Sequence, residues 1–448
     1  MDTLERDIEL YVNRRISRTQ LLKTAAAAGL SGSALLPMIH AQAASLPVRP
    51  KRGLRGPAQI TFIKGPHSAN EVAIERKLIA QFEKQHPNIK VNFTMYQWPV
   101  MDATLEAGYA SPNPPDVAYL VDMVYPKFAA AGTLENLAPY ISQAGYQSEI
   151  KAFLPAIWKL GNYRSTQYGI PSLGAVYHIF YNKDLFKKAG ISRFPETQDE
   201  LLTAAQKLRK GNTWAFTLRT NLADYAYWDW FPYIHDVGAD ILSADQKKNA
   251  LNTPKAIAAT QFLADLQNKY KVAPPAGQYN WNDDIALFQS GRTAMQHGEG
   301  PEILTLQSAK PSFNWDIALA PRPHGASKQT VMGNFGFLMM SSRSQNKEAT
   351  WEFMKFWSGA KNIQSFAEQV GLQLVRTDVP DAFKSNPLLY ELQHSLFPKV
   401  QGIQAATQMR QILALMWPNI ESCYHGQVTA AQAIQQAAQQ IDTLAAFN

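Results

Sequence analysis

Between residues 59 and 131 the chain alternates between the two-residue period of a strand and the spacing of one helical face. QITFI (59–63) is a short β-rich run, and EVAIERKLIAQF (71–82) sets Val72, Ile74, Leu78, Ile79 and Phe82 close to one face of a helix. Pro87 introduces a strand over 89–95. Pro112, Pro114 and Pro115 then break the chain before the apolar run 116–121, which suits a buried parallel strand, and helical character resumes over 125–131. Such alternation predicts an α/β sheet.

The same rhythm returns further on. Residues 177–181 read as a strand, 199–208 as a helix ending at Gly211, 254–270 as a long helix with Pro near its start, and 285–288 as a shorter one. Tyr181-Asn182-Lys183 ends a strand at a polar turn, Asp184 is placed to cap the next helix, and Gly190 ends that helix. Gly291 closes a helix and leads 293–296 into a strand that Gly298 breaks; 335–340 is again strand-like, 347–357 helical, and 429–446 an Ala- and Gln-rich terminal helix. Trp351 and Trp357 sit at helical spacing and read as core.

The first 43 residues break this pattern. Arg14, Arg15, Arg18 and Lys23 precede the weakly apolar run 25–36, and Ala41-Gln42-Ala43 offers the small residues signal peptidase prefers, so 1–43 reads as an export signal with the mature start near Ala44. SRTQLLK (17–23) is close to a twin-arginine signature but carries Thr19 where its second Arg belongs, which leaves the Sec and twin-arginine routes both open. No lipobox cysteine follows, which favours a free periplasmic protein. PVRPKRGLRGP (47–57) closes a Pro- and Gly-rich arm over 44–57.

Composition narrows the classes. Of the 448 residues 46% are hydrophobic and 18% charged, which excludes intrinsic disorder, and the 12-residue run 25–36 falls well short of a membrane span. A net charge of +7 is modest and forms no block of five like charges outside the N-terminus, so no nucleic-acid footprint is expected. Cys423 is the single cysteine; it reads as a small core residue, and neither a disulfide nor a cysteine-based zinc site can form. The nine His lack metal spacing, and no G-x-S-x-G, H-E-x-x-H, Walker or G-x-G-x-x-G string occurs. Neither a metal nor a cofactor is expected.

Several strings together resemble the family 1 extracellular solute-binding proteins of ABC importers, whose best-known relatives are the maltose-binding proteins. They are FEKQHPNIKV (82–91), PPDVAYL (114–120) with AAAGTLENL (129–137), YGIPSLGAVYHIFYNKDLFKKAGI (168–191), LFQSGRTAMQHG (287–298), APRPHG (320–325), SSRSQNKEATWEFMKFW (341–357) and PNIESCYHGQVTAAQAIQQAAQQI (418–441). No string is diagnostic alone; their order and spacing carry the likeness. The resemblance implies a type II periplasmic binding protein, an α/β flytrap whose discontinuous lobes are joined by hinge strands. It implies crossings near Gly174, Val331 to Gly333 and Val375, with lobe 1 over 58–174 and 333–375 and lobe 2 over 175–332 and 376–448. It also implies a monomer that delivers a solute to inner-membrane ABC permease subunits, with no enzymatic activity.

In open α/β sheets ligands sit beyond the carboxyl ends of strands. That rule selects His67, Trp98, Asp122 and Met123 from the first lobe, and Tyr177, Trp228, Asp229, Trp281, Glu299, Asn334, Phe335 and Trp417 around the crossings and the second. Aromatic faces pack against sugar C–H groups while Asp, Glu and Asn oxygens accept from hydroxyls, so a mono- or oligosaccharide is the expected solute. Many sugar-binding members place Trp two residues after the glycine equivalent to Gly298, where this chain has Gly300 after Glu299. That departure keeps glycerol phosphate, polyamines and other cations as alternatives, and a secreted glycosidase using two of Asp122, Asp229, Asp283 and Glu299 as a remote one.

Overall fold

The computed structural model describes residues 57–444 except 69, 144, 223, 224, 324, 325, 327 and 328, together with Thr24 and Ala27. The export signal and nearly all of the arm therefore lie outside the described residues. Among the described residues twelve strands form: β1 (Ala58–Lys64), β2 (Ile89–Met95), β3 (Val117–Val121), β4 (Asn162–Tyr163), β5 (Thr166–Gln167), β6 (Gly169–Val176), β7 (His178–Asn182), β8 (Met295–Gly298), β9 (Trp315–Ala318), β10 (Val331–Met340), β11 (Gln373–Leu374) and β12 (Val400–Gln401). Seven of them make one sheet in the order β11-β6-β10-β3-β1-β2, with β12 beside β10. Here β1 runs parallel to β2 and β3, while β10 is antiparallel to β3 and β6.

A second, three-stranded sheet has the order β8-β7-β9, and parallel bridges from Trp214 to Thr293 and from Thr217 to Gln296 extend it. One residue, Tyr177, separates β6 in the first sheet from β7 in the second. Its N–H donates to Met332 O at 2.8 Å, so the passage between sheets is braced by β10.

The apolar face read over 71–82 becomes the Glu71–Gln85 helix, which buries Leu78, Ile79 and Phe82. Beneath the first sheet Phe62 packs edge-on against Phe353 and Trp357 at 5.3 and 5.1 Å, and Trp351 is buried against Tyr146. A buried aromatic cluster of this size is where truncation costs most, about 3–5 kcal/mol per Phe or Trp to Ala. Burial also raises the Cys423 thiol to about 11, in keeping with a core residue.

Two local expectations are corrected. Asn182, not Asp184, caps the Lys183–Lys188 helix by accepting from Leu185 N. Asp184 instead accepts from the backbone and side chain of Asn314, both at 3.1 Å, because its side chain points toward the neighbouring strand connection. And β8 runs Met295–Gly298, so Gly298 completes that strand rather than interrupting it.

The segment after β11 gathers the strands that leave the first sheet. Pro387–Glu391 is helical, Leu392–Leu396 forms a π-turn, Phe397–Lys399 a 3₁₀ turn, and β12 follows. The Gln393 carboxamide accepts from Leu374 N at 2.7 Å and donates to Leu374 O at 3.1 Å, completing the edge of β11. Phe397 lies against Gly174 of β6 and 5.8 Å from the Phe335 ring of β10. β12 then pairs with Val331 and Met332.

Candidate functional site

At the carboxyl end of β1 the apolar run terminates in Lys64, which is fully buried. Its ammonium contacts the Glu71 carboxylate, lies 3.2 Å from Glu75, and is 3.1 Å from both Gly65 O and His67 Nδ1. Burial alone would depress its pKa, but the two glutamates hold it above the ordinary lysine value. One ammonium does not satisfy both acids. Glu71 is held below the carboxylate range despite burial, whereas burial pushes Glu75 up to about 8.

Rings close over this cluster. His67 meets Trp98 and Tyr119 edge-on, each at 5.4 Å, and the Trp98 indole donates to Pro66 O at 2.5 Å while its ring covers Gly65. At the end of β3, Asp122 accepts from Met123 N at 2.9 Å and its own N–H donates to Phe335 O at 2.9 Å. Burial raises Asp122 to about 7 against the hydrogen bond from Met123 N. A Cβ on Gly402 would come within 2.7 Å of the Asp122 carboxylate, so this close approach requires glycine.

The second sheet ends in a cluster built on arginine. Arg219 Nε lies 3.0 and 3.1 Å from the two Asp229 oxygens, its Nη2 also reaches Asp229, and its backbone N–H donates to the same carboxylate at 3.1 Å. Asp229 stands in the first turn of the buried Tyr227–Asp236 helix. The guanidinium sits 4.2 Å from the centre of the Trp281 ring. Trp281 opens the Trp281–Gln289 helix, fixed there by a capping box between Asn280 and Asp283, and its indole bonds to Glu302.

Glu299 and Glu302 form a reciprocal capping box at the start of the Gly300–Ala309 helix, with Glu299 N donating to Glu302 Oε2 at 2.7 Å. Burial, with Glu302 beside it, pushes Glu299 up to about 8; burial likewise raises Glu302 to about 7. His297 and His178 are held neutral by burial, at about 4 and 3. Burial raises the Tyr119 hydroxyl, and Glu71 and Glu299 add to that rise.

Between the sheets Tyr177 stacks on Trp228 at 4.4 Å and 16°, and Asn334 Nδ2 donates to its hydroxyl at 3.1 Å. Such a stack contributes about 0.5–1.5 kcal/mol beyond area burial.

The residues selected from sequence thus fall into groups. His67 and Trp98 meet at β1, Asp122, Met123 and Phe335 at the end of β3, Tyr177, Trp228 and Asn334 at the passage between sheets, and Asp229, Trp281 and Glu299 around Arg219. Trp417 is fully buried behind them, its indole donating to Thr220 O at 2.9 Å and its ring edge-on to Trp230. Met123 and Phe335 are also buried. Unselected were Lys64, Glu71, Glu75, Tyr119, Arg219, Glu302 and Gly402. The E-x-x-E spacing of Glu299 and Glu302, and a lone Lys ending an apolar run just before two acids, are signals that could have found four of them. Among the described residues no group of His, Cys, Asp and Glu could hold a metal ion.

A family model described as bacterial extracellular solute-binding protein matches residues 66–364. A binding protein of Brucella abortus (strain 2308) is 26% identical over 282 residues, covering 61% of this chain; the chain spans 66% of that relative's length. The sn-glycerol-3-phosphate-binding periplasmic protein of Brucella melitensis is 24% identical over 351 residues, 71% of this chain and 73% of its own. The fold matches the maltose-bound structure of T. maritima MalE3 with a TM-score of 0.78 at 22% identity, over 86% of this chain and 99% of that one.

Proposed function

Since the chain belongs to the bacterial extracellular solute-binding proteins and has their two-lobed α/β fold, we propose that it captures a carbohydrate between its lobes and hands it to the permease of an ABC importer. Lobe 1 comprises 58–174 and 333–375, and lobe 2 comprises 175–332 and 376–448. Closure is an equilibrium that a solute touching both lobes shifts toward the closed state. Asp122 and Glu299 accept from hydroxyls, Trp281 and Tyr177 offer ring faces, Asn334 positions Tyr177, and Asp229 and Trp417 support the wall from behind. The chain is read as exported to the periplasm, and its solute as leaving chemically unchanged.

Relatives bind maltose in one case and glycerol phosphate in another, so the charge of the site decides between them. The observation that carries the sugar reading is that buried carboxylates predominate while the buried cations are committed. Arg219 is held by Asp229 and Trp281, and Lys64 by Glu71 and Glu75. A phosphate dianion would find no uncommitted cation here, whereas Asp122, Glu299 and Glu302, their carboxyl pKa values raised by burial, offer oxygens to a hydroxylated solute and no countercharge to an anion. Hydroxyl donors meet acceptors instead.

A thermal-shift screen over sugars, polyols, phosphate esters and amines tests this, because a ligand of the native state alone raises the melting temperature. Oligosaccharides or monosaccharides are expected to raise it, with the sugar recovered intact. A rise with glycerol phosphate and none with any sugar would overturn the reading.

A further inference from the structure

Arg410 and Asp102 are 308 residues apart in sequence, yet Arg410 Nε donates to Asp102 Oδ2 at 2.6 Å. Asp102 lies on the Trp98–Ala110 helix, which begins at the ring covering Gly65, and Arg410 on the Met409–Tyr424 helix, whose Trp417 backs the second cluster. The pair is partly screened from water, with 24% and 21% of the two side chains exposed. Arg410 also donates from Nη1 to the Tyr227 hydroxyl at 3.3 Å and sits 5.9 Å from the Tyr225 ring. Tyr227 adjoins Trp228, which stacks on Tyr177. A continuous chain of contacts thus runs from a helix of the first lobe, through one guanidinium, to the aromatic stack at the passage between sheets.

The other ion pair among the described residues that joins the proposed lobes is Arg376 with Glu149. Arg376 lies just past the end of β11, beside the edge of the first sheet. Arg410 joins the proposed lobes through a side-chain pair on two helices, not through a connecting strand.

We propose that Arg410 is a positioning residue for solute capture: its pairing with Asp102 fastens the closed form and holds Tyr227 and Trp228 in place without touching the solute. The proposal rests on the reading of the chain as a solute-binding protein. It carries an unusual consequence, since even a neutral sugar would then bind with an affinity that depends on salt.

The test compares the parent with Asp102→Asn and Arg410→Lys, and with the charge-exchanged double variant Asp102→Arg/Arg410→Asp. Small-angle scattering of the unliganded proteins reads closure without any ligand. Maltotriose titration followed by tryptophan fluorescence, at 20 mM and 500 mM NaCl, reads capture; these concentrations span about 20 to 4 Å in screening length. Both single variants are expected to increase the radius of gyration and to bind about fivefold more weakly. High salt should shift the parent the same way and leave Asp102→Asn unmoved, and the double variant should recover at least part of the loss. Unchanged scattering and salt response in both single variants would overturn the latch, even with melting temperatures lowered, because a merely structural pair would change stability alone. Absent maltotriose binding by the parent, with scattering responding as expected, would count against the sugar reading and leave the latch standing.

Discussion

Lys64 and Arg219 are two buried cations at the carboxyl ends of two sheets, and each is outnumbered by acids, yet they are used differently. The Lys64 ammonium is a compact charge shared among Glu71, Glu75, His67 and a carbonyl, and around it the His67 ring stands edge-on to both Trp98 and Tyr119. Arg219 forks onto a single carboxylate and lays its flat face on Trp281, a ring that is only part-buried. Guanidinium geometry permits both at once; an ammonium does not. The first cluster is therefore a closed wall. The second presents an indole with one face supported and its edge tied to Glu302.

The largest effects should come from removing the cations. Arg219→Met strands the Asp229 carboxylate in the interior and is expected to cost about 3–5 kcal/mol in denaturant unfolding. Lys64→Met should cost less, because Glu75 holds a proton at neutral pH and can donate to Glu71 once the ammonium is gone. Equal losses would break the distinction between the two clusters.

Next come the rings. Trp281→Ala should weaken solute binding about tenfold, or about 1.4 kcal/mol, in a protein that still folds. Trp98→Ala should lower stability while changing affinity less than threefold, since that ring is spent on Gly65 and Pro66. Calorimetric titration of both variants, with a melting curve for each, sharpens the comparison; the reverse ranking would exchange the roles of the two halves.

The smallest effect concerns protonation. Glu299 keeps its proton to about pH 8 in the folded protein, whereas an unfolded glutamate releases it near pH ~4.3. A raised carboxyl pKa contributes stability that is complete below the unfolded value and is lost as pH climbs to the folded one. Glu299→Gln, neutral throughout, should accordingly gain on the parent by a few degrees in melting temperature between pH 5 and pH 8. A difference that stays constant across that window would show Glu299 ionised in the folded state.

Much of this architecture was legible because the segments that carry it are long and periodic. The run 59–63, the helical face at 71–82 and the apolar block 116–121 each return as an element within a few residues, and Trp351 and Trp357 are core as their spacing implied. Helices Trp98–Ala110, Gly300–Ala309 and Ala360–Val370 went unread: the first opens with Trp-Pro at a loop-like junction, and the second opens on Gly-Pro after its Glu299 cap, a string that reads as a turn. The candidate site was read through strand ends, which found acids and rings but missed the cations. Lys64 ends an apolar run and Arg219 interrupts one, and their acid partners, though near in sequence, lie past turns that no strand or helix period spans. Asp184 was misassigned because two nearby polar residues, Asn182 and Asp184, could cap the same helix, and only the contact with Asn314 distinguishes them.

The Gln393 carboxamide fills the hydrogen-bonding edge of β11 as a further strand would, but it cannot be extended by another chain. A molecule that repeatedly opens along its connecting strands risks offering bare amides and carbonyls to its neighbours at each excursion. A side chain anchored in a π-turn travels with the strand it covers, so the excursion exposes no template. If the proposed lobes do open and close, crowded copies would be kept from zipping together along this edge.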